Sequence, residues 1–84
     1  MEQQQLLDLV ILNRKGVVLK ATALSITSYN TKGKFDILPL HSNFISLVEN
    51  NISYLDQSGA RKDYKLDKAL MKVTSNKVRV YLTI

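Results

Sequence analysis

The sequence has no cysteine, no tryptophan, one proline, one histidine and three glycines among its 84 residues. Without cysteine the chain can form neither a disulfide nor a thiolate metal site, which fits a reducing compartment. One histidine cannot supply a multi-histidine metal centre. The glycines lie too far apart for a phosphate-binding loop or a dinucleotide fingerprint. The sequence therefore predicts no cofactor and no metal, and stability must come from packing alone.

Long hydrophobic runs are also missing. No apolar stretch approaches the roughly 18 residues that would span a bilayer, and the polar start lacks the basic region of a signal peptide. A chain of this length can bury one small core but not two. We expect residues 1–5 to be a flexible tail, residues 6–84 to form one domain, and the chain to be cytoplasmic, reaching a membrane only as a peripheral part of a complex.

Positive charge is in excess, with a formal net charge of +5 and a pI of about 9.6. Clustered cations would suit an acidic or phosphate-bearing partner. The favoured interpretation is instead a solvated outer sheet face with edge lysines that block aggregation. The cations crowd the last third of the chain: Arg61, Lys62, Lys65, Lys68, Lys72, Lys77 and Arg79.

Strands are the element that the hydrophobic pattern predicts. The final segment, "KVRVYLTI", alternates strictly between apolar and polar residues, as a half-buried strand does. "LLDLVIL" is nearly continuous, which is typical of a strand covered on both sides. Turn signals at 13–16, 56–59 and 75–76 separate short strands at intervals of about 8 to 12 residues, a spacing that indicates an all-β sandwich or barrel. The predicted strands cover 6–12, 16–27, 35–38, 44–49, 52–55, 64–66, 69–74 and 78–84.

The segment "GKFDILPLHSNF" (33–44) carries the single proline and the single histidine. Pro39 has no N–H for a sheet ladder, so it should end the strand "FDIL" at a corner and force residues 41–43 into a loop. His41 beside a turn proline is more often a loop residue than a general base. The carboxylates fall mostly at predicted turns, where aspartate bends the chain. We therefore expect a contact loop and no catalytic residues.

This segment resembles a family signature. Its residues 33–41, "GKFDILPLH", are similar to the Gly-Glu-Phe-Gly-Ile-Leu-Pro-Gly-His motif in the amino-terminal domain of the epsilon subunit of F-type ATP synthases, called delta in mitochondria. The similarity continues in "LDLVILNRKGVVL", "SNFISLV" and "LMKVTSNKVRVYL", so it extends over nearly the whole chain from about Leu6 to Ile84. Motif, order, spacing and length together make the resemblance moderately specific.

The resemblance implies a β-sandwich of two packed antiparallel sheets and a non-catalytic role in the central rotor stalk. The implied partners are a gamma-like stalk subunit and an alpha/beta-like ATPase head. Carried over by position, the loop that would contact a partner comprises Gly33, Lys34, Pro39, Leu40, His41 and Ser42. Ile37 and Leu38 belong to the same region, but core packing is the favoured interpretation for both, because strand residues must fill the sandwich.

Three departures from the family pattern affect what is expected. Lys34 replaces a common acidic residue, so a contact with the membrane ring of c subunits is doubtful. Leu40 replaces a glycine, which removes backbone freedom at the corner and adds an apolar side chain. The sequence ends at Ile84, before the helical hairpin of typical members, so inhibition by that hairpin is not expected of these residues. The departures lean towards a specialised F-type-like assembly, used for motility rather than ATP synthesis.

A small nucleic-acid-binding β-barrel of the OB or cold-shock kind is the alternative. It would use Phe35, Tyr54, Tyr64 or Tyr81 as stacking platforms beside the basic residues. The six aromatic residues form no tight aromatic and basic strand motif, and core packing explains most of them. The rotor-stalk interpretation is therefore favoured over nucleic-acid binding.

Overall fold

The computed structural model describes residues 5–40 and 43–82, and those residues form six strands with no helix between them. The predicted turns at 13–16, 56–59 and 75–76 all lie between strands, as expected from their Asn, Asp and Gly content. The strands are β1 (Leu7–Asn13), β2 (Gly16–Asn30), β3 (Gly33–Ile37), β4 (Phe44–Asp56), β5 (Arg61–Thr74) and β6 (Lys77–Tyr81).

Three of these strands are long enough to belong to two sheets. β2, β4 and β5 have 15, 13 and 14 residues. One set of their segments joins β1 and β6 in sheet I, in the order 16–23, β1, β6, 68–74 and 44–49. The other set joins β3 in sheet II, in the order β3, 25–30, 51–56 and 61–65. All pairs are antiparallel except β1 with β6, which is parallel.

β-Bulges mark the places where the long strands pass from sheet I to sheet II. Between Glu49 and Asn51 the register of β4 with β5 shifts, so that β5 contributes one residue more than β4. Asn50, at the centre of this shift, has a φ of 74°, a conformation that asparagine tolerates better than most residues. The fully buried Ser28 of β2 donates its hydroxyl to the Asn51 carbonyl at 2.9 Å. The bulge is thereby held from inside the core.

One hydrophobic core lies between the two sheets. Leu9 and Ile11 enter it from sheet I, and Ile26 and Ile52 enter it from sheet II. All four side chains are fully buried. The prediction of an all-β sandwich is therefore confirmed.

Several predicted strand boundaries were wrong: β2 runs on to Asn30, and β3 covers Gly33–Ile37 rather than 35–38. Segments 44–49 and 52–55 were expected as separate strands, as were 64–66 and 69–74, but each pair is one continuous strand, β4 and β5. A bulge leaves the hydrogen-bonded ladder intact on either side while the strand bends. In β5 the bulge shifts the inward-facing positions by one residue after Leu66, and in β4 the polar residues 49–51 separate two apolar runs, so each strand resembles two strands in the sequence.

Candidate partner-docking surface

The predicted contact loop is divided by the structure into two separate places. Gly33 and Lys34 begin β3, at the turn that follows β2, whereas Pro39 and Leu40 follow the other end of β3. The four residue steps of β3 place Gly33 about 13 Å from Ile37, and the turn at Pro39 and Leu40 follows Ile37. The remaining two residues, His41 and Ser42, lie outside the described residues. The structure therefore does not bring the first pair next to the second.

The corner at Leu40 is anchored to the β5–β6 turn. The Leu40 amide donates a hydrogen bond to Asn76 Oδ1 at 2.6 Å, and the Ser75 amide donates to Asn43 Oδ1 at 3.1 Å. Leu40 has a φ of 68°, which is uncommon for leucine and is the conformation that a glycine would adopt easily. Its side chain is 77% exposed. The corner thus holds an apolar side chain outside the core on a constrained backbone.

The expectation that Leu38 packs in the core was wrong. Ile37 is fully buried, but Leu38 is 56% exposed. Successive residues of an extended chain point to opposite faces, so only one of two neighbours can enter the core. Ile37 occupies the inward position, and Leu38 lies on the outer side, where it lines an open groove together with Lys34 and Asp36.

A row of apolar side chains crosses the outer face of sheet I. Leu47 on β4 lies opposite Leu70 on β5, and Leu70 lies opposite Tyr81 on β6. Leu47 is 71% exposed and Leu70 39%. We call the row the apolar stripe; its members, in order across the sheet, are Leu47, Leu70, Tyr81, Leu12 and Val17.

Sequence reasoning missed the apolar stripe, although a signal for it was present. Residues 44–48, "FISLV", and residues 69–71, "ALM", place Leu or Ile at positions where a solvated strand would carry a polar residue. Residues 44–49 and 69–74 were expected as strands, but their outward-facing apolar residues were not recognised as an exposed surface. The chain itself covers only the inner side, so the outer side chains are left exposed. The continuous run was therefore a sign of a surface that a partner could cover.

The outer face of sheet II is polar. One row across its four strands carries two hydroxyls between two carboxylates. The Thr27 hydroxyl donates to Asp36 Oδ1 at 2.6 Å, and Arg61 donates to the Ser53 hydroxyl at 3.1 Å. We call this row, with the residues beside it, the polar face; the row is Asp36, Thr27, Ser53 and Asp63.

An open groove of about 450 Å³ lies on the polar face. Asn51 lines it and donates its amide to Asp63 Oδ1 at 3.2 Å, while Asn51 Oδ1 is buried without a hydrogen-bond partner among the described residues. The hydrogen bonds from Asn51 and then Ser53 lower the pKa of the Asp63 carboxyl below its ordinary value. These contacts link neighbouring strands to one another, so most of the polar groups of this face already bond within the chain.

The turn between β4 and β5 is organised by one carboxylate. Asp56 Oδ1 accepts hydrogen bonds from the Ser58 hydroxyl at 2.7 Å, the Ser58 amide at 2.9 Å and the Ala60 amide at 3.0 Å. The Ser58 hydroxyl, followed by the Ala60 amide, lowers the pKa of Asp56 from 3.8 to about 2. Gly59 has a φ of 90°, which confirms the predicted turn with a left-handed fourth residue. This aspartate serves the turn, as expected for carboxylates at strand ends.

The aromatic residues proposed as stacking platforms are mostly taken up by the core. Tyr54 is buried, and Phe35 and Tyr64 pack against the core cluster. Phe35 also meets Phe44 edge to face, with ring centroids 6.0 Å apart. Of the four, Tyr81 alone is exposed, and it belongs to the apolar stripe. Stacked bases need several exposed rings along a basic groove, which this surface does not provide.

A comparison with known protein families identifies the family of this chain. The family model for the β-sandwich domain of the ATP synthase delta/epsilon chain matches residues 6–83. The chain belongs to this delta/epsilon family. The resemblance found in the segment "GKFDILPLH" is thereby confirmed, and the sandwich formed by sheets I and II is the domain that the family model describes.

Solved structures show the same fold. A chain of the Euglena gracilis mitochondrial ATP synthase, in a structure of OSCP, F1 and the c-ring, matches with a TM-score of 0.84 and 14% identity over 98% of this chain and 52% of that one. A chain of the central stalk and c-ring of the Tetrahymena thermophila mitochondrial ATP synthase matches with a TM-score of 0.73 and 9% identity, over 99% and 67%. This delta/epsilon domain thus spans about half the length of the Euglena chain.

Two further findings complete the comparison. No curated protein matches the sequence closely enough to serve as a relative. Across residues 5–40 and 43–82, no helix is long and apolar enough to cross a membrane. The family model therefore carries the assignment, and the solved structures support the fold.

Proposed function

We propose that this delta/epsilon domain is a non-catalytic part of the central rotor stalk of an F-type or F-type-like ATPase, where it braces a gamma-like subunit. Family membership supports the stalk location. The observation that carries the proposal is the apolar stripe, because it gives the domain an exposed surface of the kind that protein partners cover. The domain performs no chemistry of its own; it holds its partner.

The dimensions of the stripe fit a stalk partner. Its five members lie on five adjacent strands, so four spacings of about 4.8 Å give a length of about 19 Å. A specific interface covers about 800 Å² on each partner, with aromatic and apolar anchors near its centre. Tyr81 lies at the middle of the stripe between Leu70 and Leu12. The stripe therefore provides the apolar centre of a standard interface, and neighbouring residues supply its rim.

The corner supplies a smaller second contact. Leu38 and Leu40 project from a backbone that Asn76 and Asn43 hold in place. We include Pro39, His41 and Ser42 in this contact, as the resemblance implies. Gly33 lies at the far end of β3, whereas Lys34 lines the same groove as Leu38. A contact with a c-ring is left out of the proposal, because Lys34 lacks the acidic group that family members carry.

Affinity purification from the native source tests this proposal. A tagged copy of the chain should recover alpha-, beta- and gamma-like chains at physiological salt. The same copy with Leu47→Thr and Leu70→Thr should recover none of them. Failure of the unaltered chain to recover any ATPase subunit under mild conditions would refute the stalk assignment.

The same purification separates ATP synthesis from other work of the assembly. Recovery of a c-like ring protein together with the head indicates a synthase. A head and stalk recovered with cytoskeletal or surface proteins and without a ring protein indicate a specialised assembly, such as one used for motility. RNA or DNA in the recovered material, lost steeply as salt rises, would instead support the nucleic-acid alternative.

A further inference from the structure

Left-handed backbone is concentrated at one place in this domain. Among the residues that the structure describes, four residues other than glycine have a positive φ: Leu40 (68°), Asn50 (74°), Ser75 (48°) and Asn76 (64°). Three of the four meet where the corner after β3 contacts the β5–β6 turn, because Leu40 is hydrogen-bonded to Asn76. Such backbone is costly for a residue that has a side chain, and it persists only where the surrounding structure holds it.

The hydrogen bonds of the β5–β6 turn hold this cluster together. Asn76 Oδ1 accepts the Leu40 amide at 2.6 Å, and the main-chain carbonyl of Asn76 accepts the Asp8 amide at 2.8 Å. Beside it, the Ser75 amide donates to Asn43 Oδ1 at 3.1 Å. One two-residue turn therefore joins the start of β1, the corner and the residue before β4. The side chain of Asn76 fixes the corner, whereas its carbonyl fixes β1.

Leu40 is the residue that this arrangement presents to the outside, with a side chain that is 77% exposed. A single exposed leucine is ordinary on a protein surface, but a leucine with a positive φ is uncommon. Glycine, which the resembling family signature has at this place, would adopt the conformation without strain. Neither burial nor backbone geometry in the isolated domain favours a leucine here, which indicates that its side chain is used in a contact with another molecule.

We propose that Leu40 is an anchor residue of the partner contact at the corner, and that Asn76 is the positioning residue that presents it. The anchor inserts into an apolar hollow of the gamma-like subunit. Asn76 acts through its bond to the Leu40 amide: by fixing the backbone of Leu40 before association, it reduces the conformational entropy that binding would otherwise cost. This inference rests on the proposed function, because it assigns residues within the smaller contact with the same partner.

Single substitutions separate the anchor from the residue that positions it. Leu40→Ala removes the anchor and should weaken binding of the recovered gamma-like chain, measured by calorimetry, about fivefold. Asn76→Gly keeps the positive φ and the main-chain carbonyl but removes Oδ1, and it should weaken binding about threefold. Asn76→Asp keeps an acceptor oxygen in a residue that tolerates the same φ, so it should bind within about 1.5-fold of the unaltered chain.

The double variant decides whether the two residues act as one unit. If Asn76 acts only through Leu40, Asn76→Gly has no further effect once the leucine is gone, and the double variant should bind about as well as Leu40→Ala alone. The control, Asn50→Gly, makes the same substitution at the positive φ in the β4 bulge and should leave binding within about 1.5-fold. Circular dichroism checks that each variant folds.

Hydrogen exchange tests the bond between Asn76 and Leu40 without the partner. Exchange of the Leu40 amide should accelerate at least about tenfold in Asn76→Gly but not in Asn76→Asp, while the amides of β1 keep their protection. A Leu40 amide that exchanges at the same rate in Asn76→Gly as in the unaltered chain would overturn the positioning role.

Two binding results would overturn the inference and leave the stalk role intact. One is unchanged binding by Leu40→Ala, which would remove the anchor. The other is an Asn76→Gly loss that is equally large with and without the leucine, which would reduce Asn76 to a residue of the fold. Failure of the unaltered chain to recover any ATPase subunit would instead refute the proposed function, and this inference with it.

Discussion

Outward-facing side chains change their chemistry along single strands of this protein. β4 carries Ile45 and Leu47 on the outer face of sheet I, but Asn51 and Ser53 on the outer face of sheet II. The change occurs at the bulge around Asn50. One strand therefore contributes to an exposed apolar surface and to a polar surface that bonds within the chain, and the bulge is the boundary between them.

The polar face stabilises the folded domain, whereas the apolar stripe would stabilise association with a partner. On the polar face the Thr27 and Ser53 side chains bond to residues of neighbouring strands, so they contribute to the folding of the isolated domain. On the apolar stripe Leu47 and Leu70 remain exposed and contribute little until a partner removes them from water. Substitutions on the stripe should therefore affect association, and substitutions on the polar face should affect unfolding.

The largest effect is expected for Leu47→Thr with Leu70→Thr. Loss of two leucines from the centre of an interface should weaken partner binding about 100-fold or more, because each buried leucine contributes about 1.5 to 3 kcal/mol. Threonine keeps a high strand propensity, so the free energy of unfolding should change by no more than about 0.5 kcal/mol. Calorimetric titration with the recovered gamma-like chain and urea unfolding measure the two quantities.

A matched pair of leucines at the corner provides the control for this variant. Leu38→Thr with Leu40→Asn removes the same number of exposed leucines, and asparagine tolerates the positive φ at position 40. Binding should weaken less than about tenfold if the corner is the smaller contact. A greater loss from the corner pair than from the stripe pair would show that the predicted loop is the main interface.

A smaller effect, on folding rather than binding, is expected for Thr27→Val. Thr27 is buried and donates to the Asp36 carboxylate, and valine has the same shape without the donor. The free energy of unfolding should fall by about 1 kcal/mol, because a bond to a charged group is lost but Asp36 stays partly solvated. Thr22→Val, at an exposed position of sheet I, should change it by less than about 0.5 kcal/mol. An equal effect of both substitutions would show that the Thr27 bond does not stabilise the fold.

The apolar stripe and the polar face also show which features of the structure could be predicted from the sequence and which could not. The all-β class followed from alternation and turn residues, since both act over a few residues, whereas the choice of a sandwich over a barrel came from the family resemblance. The rows of side chains that run across the strands could not be predicted in this way. Leu47 and Leu70, for example, become neighbours only through the register between β4 and β5, which the bulge at Asn50 sets. Likewise, Pro39 predicted the corner through its missing N–H, but the bond from Leu40 to Asn76 joins residues 36 positions apart. No local pattern encodes such a contact.

A still smaller change in the free energy of unfolding is expected for substitutions of Leu40 at the corner. Leu40→Gly should raise the free energy of unfolding by about 0.5 kcal/mol, since it relieves a left-handed leucine at a cost of about 1 kcal/mol and partly offsets this by a more flexible unfolded chain. Leu40→Ala removes the same apolar group without that relief and should give no increase. Thermal and urea unfolding of both variants decide between them. A glycine variant no more stable than the alanine variant would mean that the backbone at residue 40 is unstrained.

The turn between β4 and β5 should make stability depend on acid pH. The pKa of Asp56 is lowered to about 2 in the folded chain from 3.8, so the unfolded chain binds the proton more readily between these values. The contribution of Asp56 is therefore complete above pH 3.8 and is lost as the pH falls towards about 2. Asp56→Asn keeps an oxygen for the Ser58 amide but cannot titrate, so its urea midpoint should fall less steeply over this window than that of the unaltered chain.

Asp67→Asn removes one negative charge outside the turn and controls for net charge. If both variants follow the unaltered chain down to pH 2, the hydrogen bonds from Ser58 and Ala60 do not discriminate between the two protonation states of Asp56, and the turn owes its shape to Gly59 and the strand register instead.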